Sequence, residues 1–267
     1  MPDLKGKVAI ITGASSGIGE GTALYFASLG CWLSLTARNK QSLERVAKEC
    51  CAKGIPCDKV IIVPGDISVE KDVAAVVEKT AKHFGKIDIL VNNAGMTMQG
   101  TIDSTTTQDY NRIWDTNFQG PLCMMKNALP YLRKTKGSIV NISSVASTIV
   151  VKGLTPYCLT KAALDHLTRC AALENASFGV RVNTINPGVI RTTLALKPGD
   201  NVDEYMEAME KKTGAAHALG RTGTPDEVAR CIAFLASDDA SFVTGISMPV
   251  DGGMLLMSSL SQGTPFE

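Results

Sequence analysis

The chain has 267 residues, 45% hydrophobic and 20% charged, and its 27 basic and 26 acidic residues leave a net charge of +1. This is an ordinary globular composition without a basic stripe, which argues against nucleic acid or an anionic membrane as partner. No apolar run approaches the ~20 residues of a membrane helix. The N-terminus lacks a signal-peptide pattern, and the eight cysteines include no C-x-x-C. Free thiols in a reducing cytoplasm are therefore expected, with neither a disulfide framework nor a zinc site.

In chain order, the apolar run at 8–12 predicts a buried strand and 17–29 a helix. Between them runs T-G-A-S-S-G-I-G, from Thr12 to Gly19. Gly13, Gly17 and Gly19 permit a tight turn that brings backbone N–H groups to a pyrophosphate at the helix N-terminus, with Ser15, Ser16 and Ile18 filling the loop. No G-K-[S/T] follows, which excludes a triphosphate P-loop. The second strand, 31–36, ends in Ala37, Arg38 and Asn39. A carboxylate here would hold the 2′-hydroxyl of NAD, whereas an arginine suits the 2′-phosphate of NADP. NADP is favoured over NAD, because arginine grips phosphate through a charged fork.

A charged helix at 40–53 and a strand at 60–63 lead to Asp66 and Ile67. Asp66 is placed to accept from the adenine amino group, or equally to cap the next helix. A strand at 87–91 leads into N-N-A-G, Asn92 to Gly95, and strands at 138–142, 180–185 and 247–250 complete the series. Continuous apolar strands separated by helical patterns predict an α/β fold, a doubly wound parallel sheet of Rossmann type. No linker or repeat cuts the chain, so residues 1–267 form one domain. The irregular segment 190–219 carries a helical pattern at 202–211. Its Leu194, Leu196, Tyr205, Met206 and Met209 make it a candidate substrate lid or an ordinary surface helix. Thr224, Pro225 and Glu227 spell a helix start.

Tyr157 and Lys161 stand four apart, on one face of a helix, and Ser144 lies thirteen residues before the tyrosine. A phenol is a poor base at neutral pH; a neighbouring ammonium draws its pKa down. A serine hydroxyl beside them can hold a substrate oxygen. His83, His166 and His217 offer no converging ligand set, so no metal is expected. Cys158 is read as a packing residue, and Trp32 and Trp114 as core.

Together the glycine loop, N-N-A-G, the serine, Y-x-x-x-K and Pro187-Gly188 resemble the short-chain dehydrogenase/reductase family over almost the whole chain. The resemblance covers its standard-length members, which include 3-oxoacyl reductases, glucose dehydrogenases and hydroxysteroid dehydrogenases. It implies a catalytic set of Asn117, Ser144, Tyr157 and Lys161, with Asn117 steadying a proton relay. Tyr157 and Lys161 would also hold cofactor. Asn93, Ala94 and Gly95 would pass the cofactor ribose, and Pro187, Gly188, Val189, Ile190 and Thr192 would meet the nicotinamide. Ser16 stands where many NADP-binding members have a basic residue, so specificity would rest on Arg38 with help from Ser15 or Asn39.

The expected activity is hydride exchange between NADP(H) and a small carbonyl or secondary alcohol, with reduction of 3-oxoacyl thioesters as an alternative. A third possibility is an NADP(H)-binding sensor without turnover. Met96, Met98, Ile149, Val150 and Val151 would line a lipophilic substrate pocket. Apolar helix faces at 122–129 and 162–173, with Leu167 among them, imply a homotetramer.

Overall fold

The computed structural model describes residues 2–194, 196 and 199–257; three positions of the expected lid segment, Ala195, Lys197 and Pro198, lie outside the described residues. Seven strands form one parallel sheet in the order β3-β2-β1-β4-β5-β6-β7. They are β1 Val8–Thr12, β2 Trp32–Thr36, β3 Val60–Ile62, β4 Ile89–Asn92, β5 Ser138–Ile142, β6 Arg181–Pro187 and β7 Ser247–Val250. Every predicted strand exists: β1, β5 and β7 have the expected bounds, and the others differ by one or two residues at an end. The later start of β4 has a physical cause: Asp88 turns its carboxylate to the Val8 N–H at 2.7 Å, and so leaves the strand pattern.

The alternation of strand side chains divides the core in two. Ala9, Ile11, Leu33, Leu35, Ile89 and Val91 point to one face. There they meet α1 (Gly17–Ser28), α2 (Lys40–Ala52) and α8 (Pro225–Ala236). Ile10, Leu90, Ile139 and Val182 point to the other. They meet α3 (Glu70–Phe84), α5 (Gly120–Thr135) and α6 (Thr155–Asn175). Helix α4 (Thr107–Trp114) leads into α5 through a π-turn at Asp115–Gln119. A seventh helix, α7 (Val202–Thr213), carries no buried residue and stands over the carboxyl ends of the strands. The expected start of α8 is present as a full capping box between Thr224 and Glu227.

The chain leaves β1 for β2 and β3 on one side, then crosses to β4 on the other. The crevice beyond β1 and β4 is therefore the switch point where such sheets bind ligands.

Two expectations need correction. Cys51 and Cys57 form a disulfide, because Gly54, at φ +105°, turns the chain sharply back after α2 and leaves the two Cα atoms 5.2 Å apart. Cys31, Cys50, Cys123, Cys158, Cys170 and Cys231 are free thiols as expected. Trp114 is not core but 40% exposed, its ring 4.6 Å from that of Phe118. Trp32 is half-buried under Lys59 and against Phe84.

Candidate active site

A cleft of about 1050 Å³ opens across the switch point. The glycine loop forms its floor. Gly13 has φ +65°, and a Cβ there would come within 2.8 Å of Ala94 and of the Asn93 amide, so only glycine lets the β1 and β4 loops touch. The Thr12 hydroxyl accepts from the backbone N–H groups of Asn93 and Ala94, both at 2.9 Å. The Asn93 amide donates to the carbonyls of Thr12 and Gly13 at 2.9 and 3.2 Å. Asn92 turns into the sheet and donates to Asn141 on β5 at 2.9 Å. N-N-A-G is thus a clasp between two loops as well as a cleft wall.

The residues expected at a dinucleotide converge on this cleft. Ser15, Ser16, Gly17 and Ile18 line it on the glycine-loop side, Arg38, Asn39, Asp66 and Ile67 at one end. Asn93, Ala94 and Gly95 pass its middle, and Pro187, Gly188, Val189, Ile190 and Thr192 its other end. Gly19 lies beneath the loop, against the Gly13 carbonyl and Asn93. Arg38 is exposed, and no hydrogen bond or ion pair occupies it among the described residues. Asn39 caps α2 by accepting from the Ser42 N–H at 3.0 Å. One Asp66 oxygen accepts from the N–H and hydroxyl of Ser68, whereas the N-cap of α3 is Val69, so Asp66 builds the turn before that helix and does not cap it. The floor is shaped for close approach of a backbone-bound pyrophosphate, and the chain's donor set fits a dinucleotide.

Tyr157, Lys161 and Ser144 line the same cleft. Lys161 is buried on α6, and its Nζ donates to the Ile142 carbonyl at 2.9 Å and lies 5.6 Å from the centre of the Tyr157 ring. Burial pushes the Lys161 pKa down to about 8, against a smaller opposing pull from Asp165. Burial also raises the Tyr157 pKa, with Ser144 drawing it partly back. The protein groups alone therefore move the phenol the opposite way from the sequence expectation, because desolvation outweighs the Ser144 hydrogen bond. Ser144 Oγ accepts from the Ala146 N–H at 3.1 Å, and its hydroxyl bonds to the Tyr157 side chain. Ser143 is a structural residue, donating to the Lys161 carbonyl at 3.2 Å.

Asn117 lies behind the cleft in the π-turn, fully engaged. Its side chain accepts from the Met96 N–H and donates to the Met96 carbonyl, both at 2.9 Å, and donates to Thr160 at 3.2 Å. A residue that sequence reasoning set aside emerges here. His217 is buried, accepts from the Val189 N–H at 3.1 Å and donates to the Thr213 carbonyl at 3.0 Å. It joins the turn after β6 to the end of α7. Among the described residues no cluster is arranged to hold a metal.

At the open end, Met96, Leu194, Tyr205 and Met209 line the cleft beside the polar side chains Gln108, Asn111 and Arg112 of α4. Met98, Ile149 and Val150 do not, and Val150 is 93% exposed. Val151 borders a separate small hollow with Gln99 and Lys152. The expected pocket wall after β5 thus turns outward, because Gly100 pairs with Leu154 and draws the loop away.

The family model described as enoyl-(acyl carrier protein) reductase matches residues 13–255. The chain is 36% identical to a meso-2,3-butanediol dehydrogenase of Serratia marcescens, over 97% of each chain. It is 36% identical to a 3-oxoacyl-[acyl-carrier-protein] reductase of Thermotoga maritima, over 95% of this chain and 99% of that one. A short-chain dehydrogenase/reductase of unknown function from Caenorhabditis elegans, solved with cofactor, superposes with a TM-score of 0.91 at 34% identity, covering 98% and 100% of the two chains. An aldohexose dehydrogenase of Thermoplasma acidophilum gives 0.85 at 34% identity, covering 98% of each. The chain belongs to the short-chain dehydrogenase/reductase family. It is accordingly an NAD(P)-dependent oxidoreductase acting on alcohol or carbonyl groups.

Proposed function

We propose that the protein is an NADP(H)-preferring reductase of small carbonyl compounds, with Tyr157 as its proton donor. The observation that carries this reading is the convergence of Ser144, Tyr157 and Lys161 with the Pro187–Thr192 turn on one cleft. When bound, the nicotinamide supplies or takes up the hydride. Tyr157 gives its proton to the carbonyl oxygen, and the raised pKa that burial imposes keeps that proton in place near neutrality. Ser144, bonded to Tyr157, would orient the substrate oxygen with its hydroxyl. Lys161 holds positive charge beside the phenol and would hold the ribose of a bound cofactor. Asn117 acts as a positioning residue that fixes the backbone of Met96.

Preference for NADP is supported by the unpaired, exposed Arg38 and by the absence of any carboxylate at the end of β2. The segment 190–219 is proposed as a lid, supported by Leu194, Tyr205 and Met209 on the cleft wall. A homotetramer is proposed on the exposed leucines of α6 and on family membership. Residence in the cytoplasm belongs to the same proposal, supported by the six free thiols.

A second reading, reduction of 3-oxoacyl thioesters, is favoured by the acyl-carrier-protein reductases among the relatives. Polar side chains on α4 and apolar ones on α7 accommodate either substrate class. Turnover against ketones, diols and an acetoacetyl thioester, each with NADPH and NADH, tests the proposal. Reduction of simple ketones with NADPH is expected. Thioester-only activity would select the second reading, and no turnover on any substrate would leave a nucleotide-binding sensor.

A further inference from the structure

We propose that Asp165 is a positioning residue of the active site, which through Asn186 anchors the backbone of Ser144 and places a buried carboxylate one helical turn from the buried ammonium of Lys161. Asp165 follows Lys161 by four residues on α6, so the two share a face. Both are buried, at 7% and 5% exposure. A buried carboxylate is expensive unless paired, yet among the described residues no cation lies in contact with Asp165. Its one bonded oxygen, Oδ2, accepts from Asn186 Nδ2 at 2.8 Å.

Asn186 comes from the end of β6 and is the hub. The same amide nitrogen lies 2.8 Å from Ser147 Oγ and 3.1 Å from the Ser144 carbonyl, so its two N–H groups are shared among three acceptors. Asp165 thus orients an amide that grips the loop carrying Ser144. Its negative charge also acts along the helix on Lys161, raising the lysine pKa against the burial that lowers it.

Among the described residues, the other ionisable group beside Lys161 is Tyr157, also on α6. From β5 come the Ile142 carbonyl and Ser143, from β6 Asn186, and from the π-turn Asn117 by way of Thr160. His166 and Arg169, the next charged side chains along α6, are exposed and bonded to each other. Among the described residues Asp165 is the one carboxylate whose charge acts on the ammonium of Lys161. The consequence for catalysis rests on the proposed reductase function; the coupling of the two charges does not.

Two substitutions separate the two tasks. Asp165→Asn keeps an acceptor for Asn186 and removes the charge, whereas Asp165→Leu removes both. The Lys161 titration is read directly by NMR of ¹³Cε-labelled lysine in the whole protein, its signal identified by its loss in Lys161→Met. In Asp165→Asn the midpoint is expected to fall by about one unit, a tenfold loss of proton affinity. The alkaline limb of kcat/KM for ketone reduction should move down with it. Asp165→Leu should show the same shift and a reduced kcat at every pH, and Asp165→Glu should restore the midpoint. An unmoved Lys161 midpoint in Asp165→Asn overturns the proposal. Because the NMR titration needs no turnover, a shifted midpoint in a protein that reduces no carbonyl would uphold the coupling and refute the reductase function.

Discussion

At the scale of single residues, the proposed proton donor and its lysine neighbour are held by burial, and burial has a measurable price for each. Tyr157→Phe keeps the ring and removes the proton, so turnover should fall by roughly 10²–10⁴-fold with cofactor affinity nearly unchanged. Retained turnover would move the donor elsewhere. Lys161 titrates at about 8 in the folded chain against 10.5 when free. Its folded pKa is the lower one, so the penalty of a buried ammonium is fully present below about pH 8 and is relieved as pH rises toward 10.5. At 1.36 kcal/mol per unit that penalty is at most about 3 kcal/mol. Lys161→Met should therefore unfold at higher denaturant than wild type at neutral pH, with the difference closing in alkali, while activity is lost. Equal stability at neutral pH would contradict the depressed pKa. Arg38→Asp should weaken NADPH at least tenfold, since a charge-assisted hydrogen bond contributes about 1.5–3 kcal/mol, and leave NADH unchanged or improved. Titrating both cofactors on both proteins checks it; a wild type that already prefers NADH would end the NADP assignment. The Y-x-x-x-K spacing and the arginine after β2 were legible because each is a local pattern. The direction of the Tyr157 shift was not, because desolvation depends on what the rest of the chain packs around the phenol.

At the scale of elements, the strands and the phosphate loop follow from apolar runs and glycine placement alone. What escaped sequence reading were features made by contact between distant segments. The Cys51–Cys57 pairing depends on the turn at Gly54, the outward course of Val150 on a bridge between Gly100 and Leu154, and the clamp of His217 on two loops brought together only by the fold. Helix α7 illustrates the same division. Its pattern at 202–211 was visible, but its attachment was not: Glu210 accepts from the hydroxyl and N–H of Thr222. The Thr222 hydroxyl bond holds the Glu210 carboxylate below its usual range, so the anchor persists as the anion down past ordinary carboxylate titration. Since no residue of α7 is buried, this anchor is expected to govern the lid. Glu210→Ala should raise KM several-fold and change kcat less. Steady-state kinetics decide this, and an unaltered KM would detach α7 from substrate binding.

At the scale of the whole molecule, the surface of α6 has more apolar area than the sheet covers. Leu167 is half-buried and packs against the core, whereas Leu159 is 52% and Leu173 82% exposed. Exposed leucines on a long helix fit burial against a second copy with two-fold symmetry. Light scattering should give a tetramer for the wild type, and Leu159→Glu with Leu173→Glu should shift it toward smaller species without loss of the monomer fold. A wild type that scatters as a single chain would refute the assembly.

The π-turn at Asp115–Gln119 has a further consequence. A turn closing from residue i to i+5 holds one residue more than an α-turn, and one residue is about 100° of helical rotation. The rod formed by α4 and α5 is thus two rotors joined at a swivel. One rotor packs Met124, Ala128 and Leu132 into the core, and the other turns Gln108, Asn111 and Arg112 toward the cleft. Chain length at this joint sets an angle: a relative one residue shorter here would swing a different row of α4 side chains over the substrate without altering a single residue of the row itself.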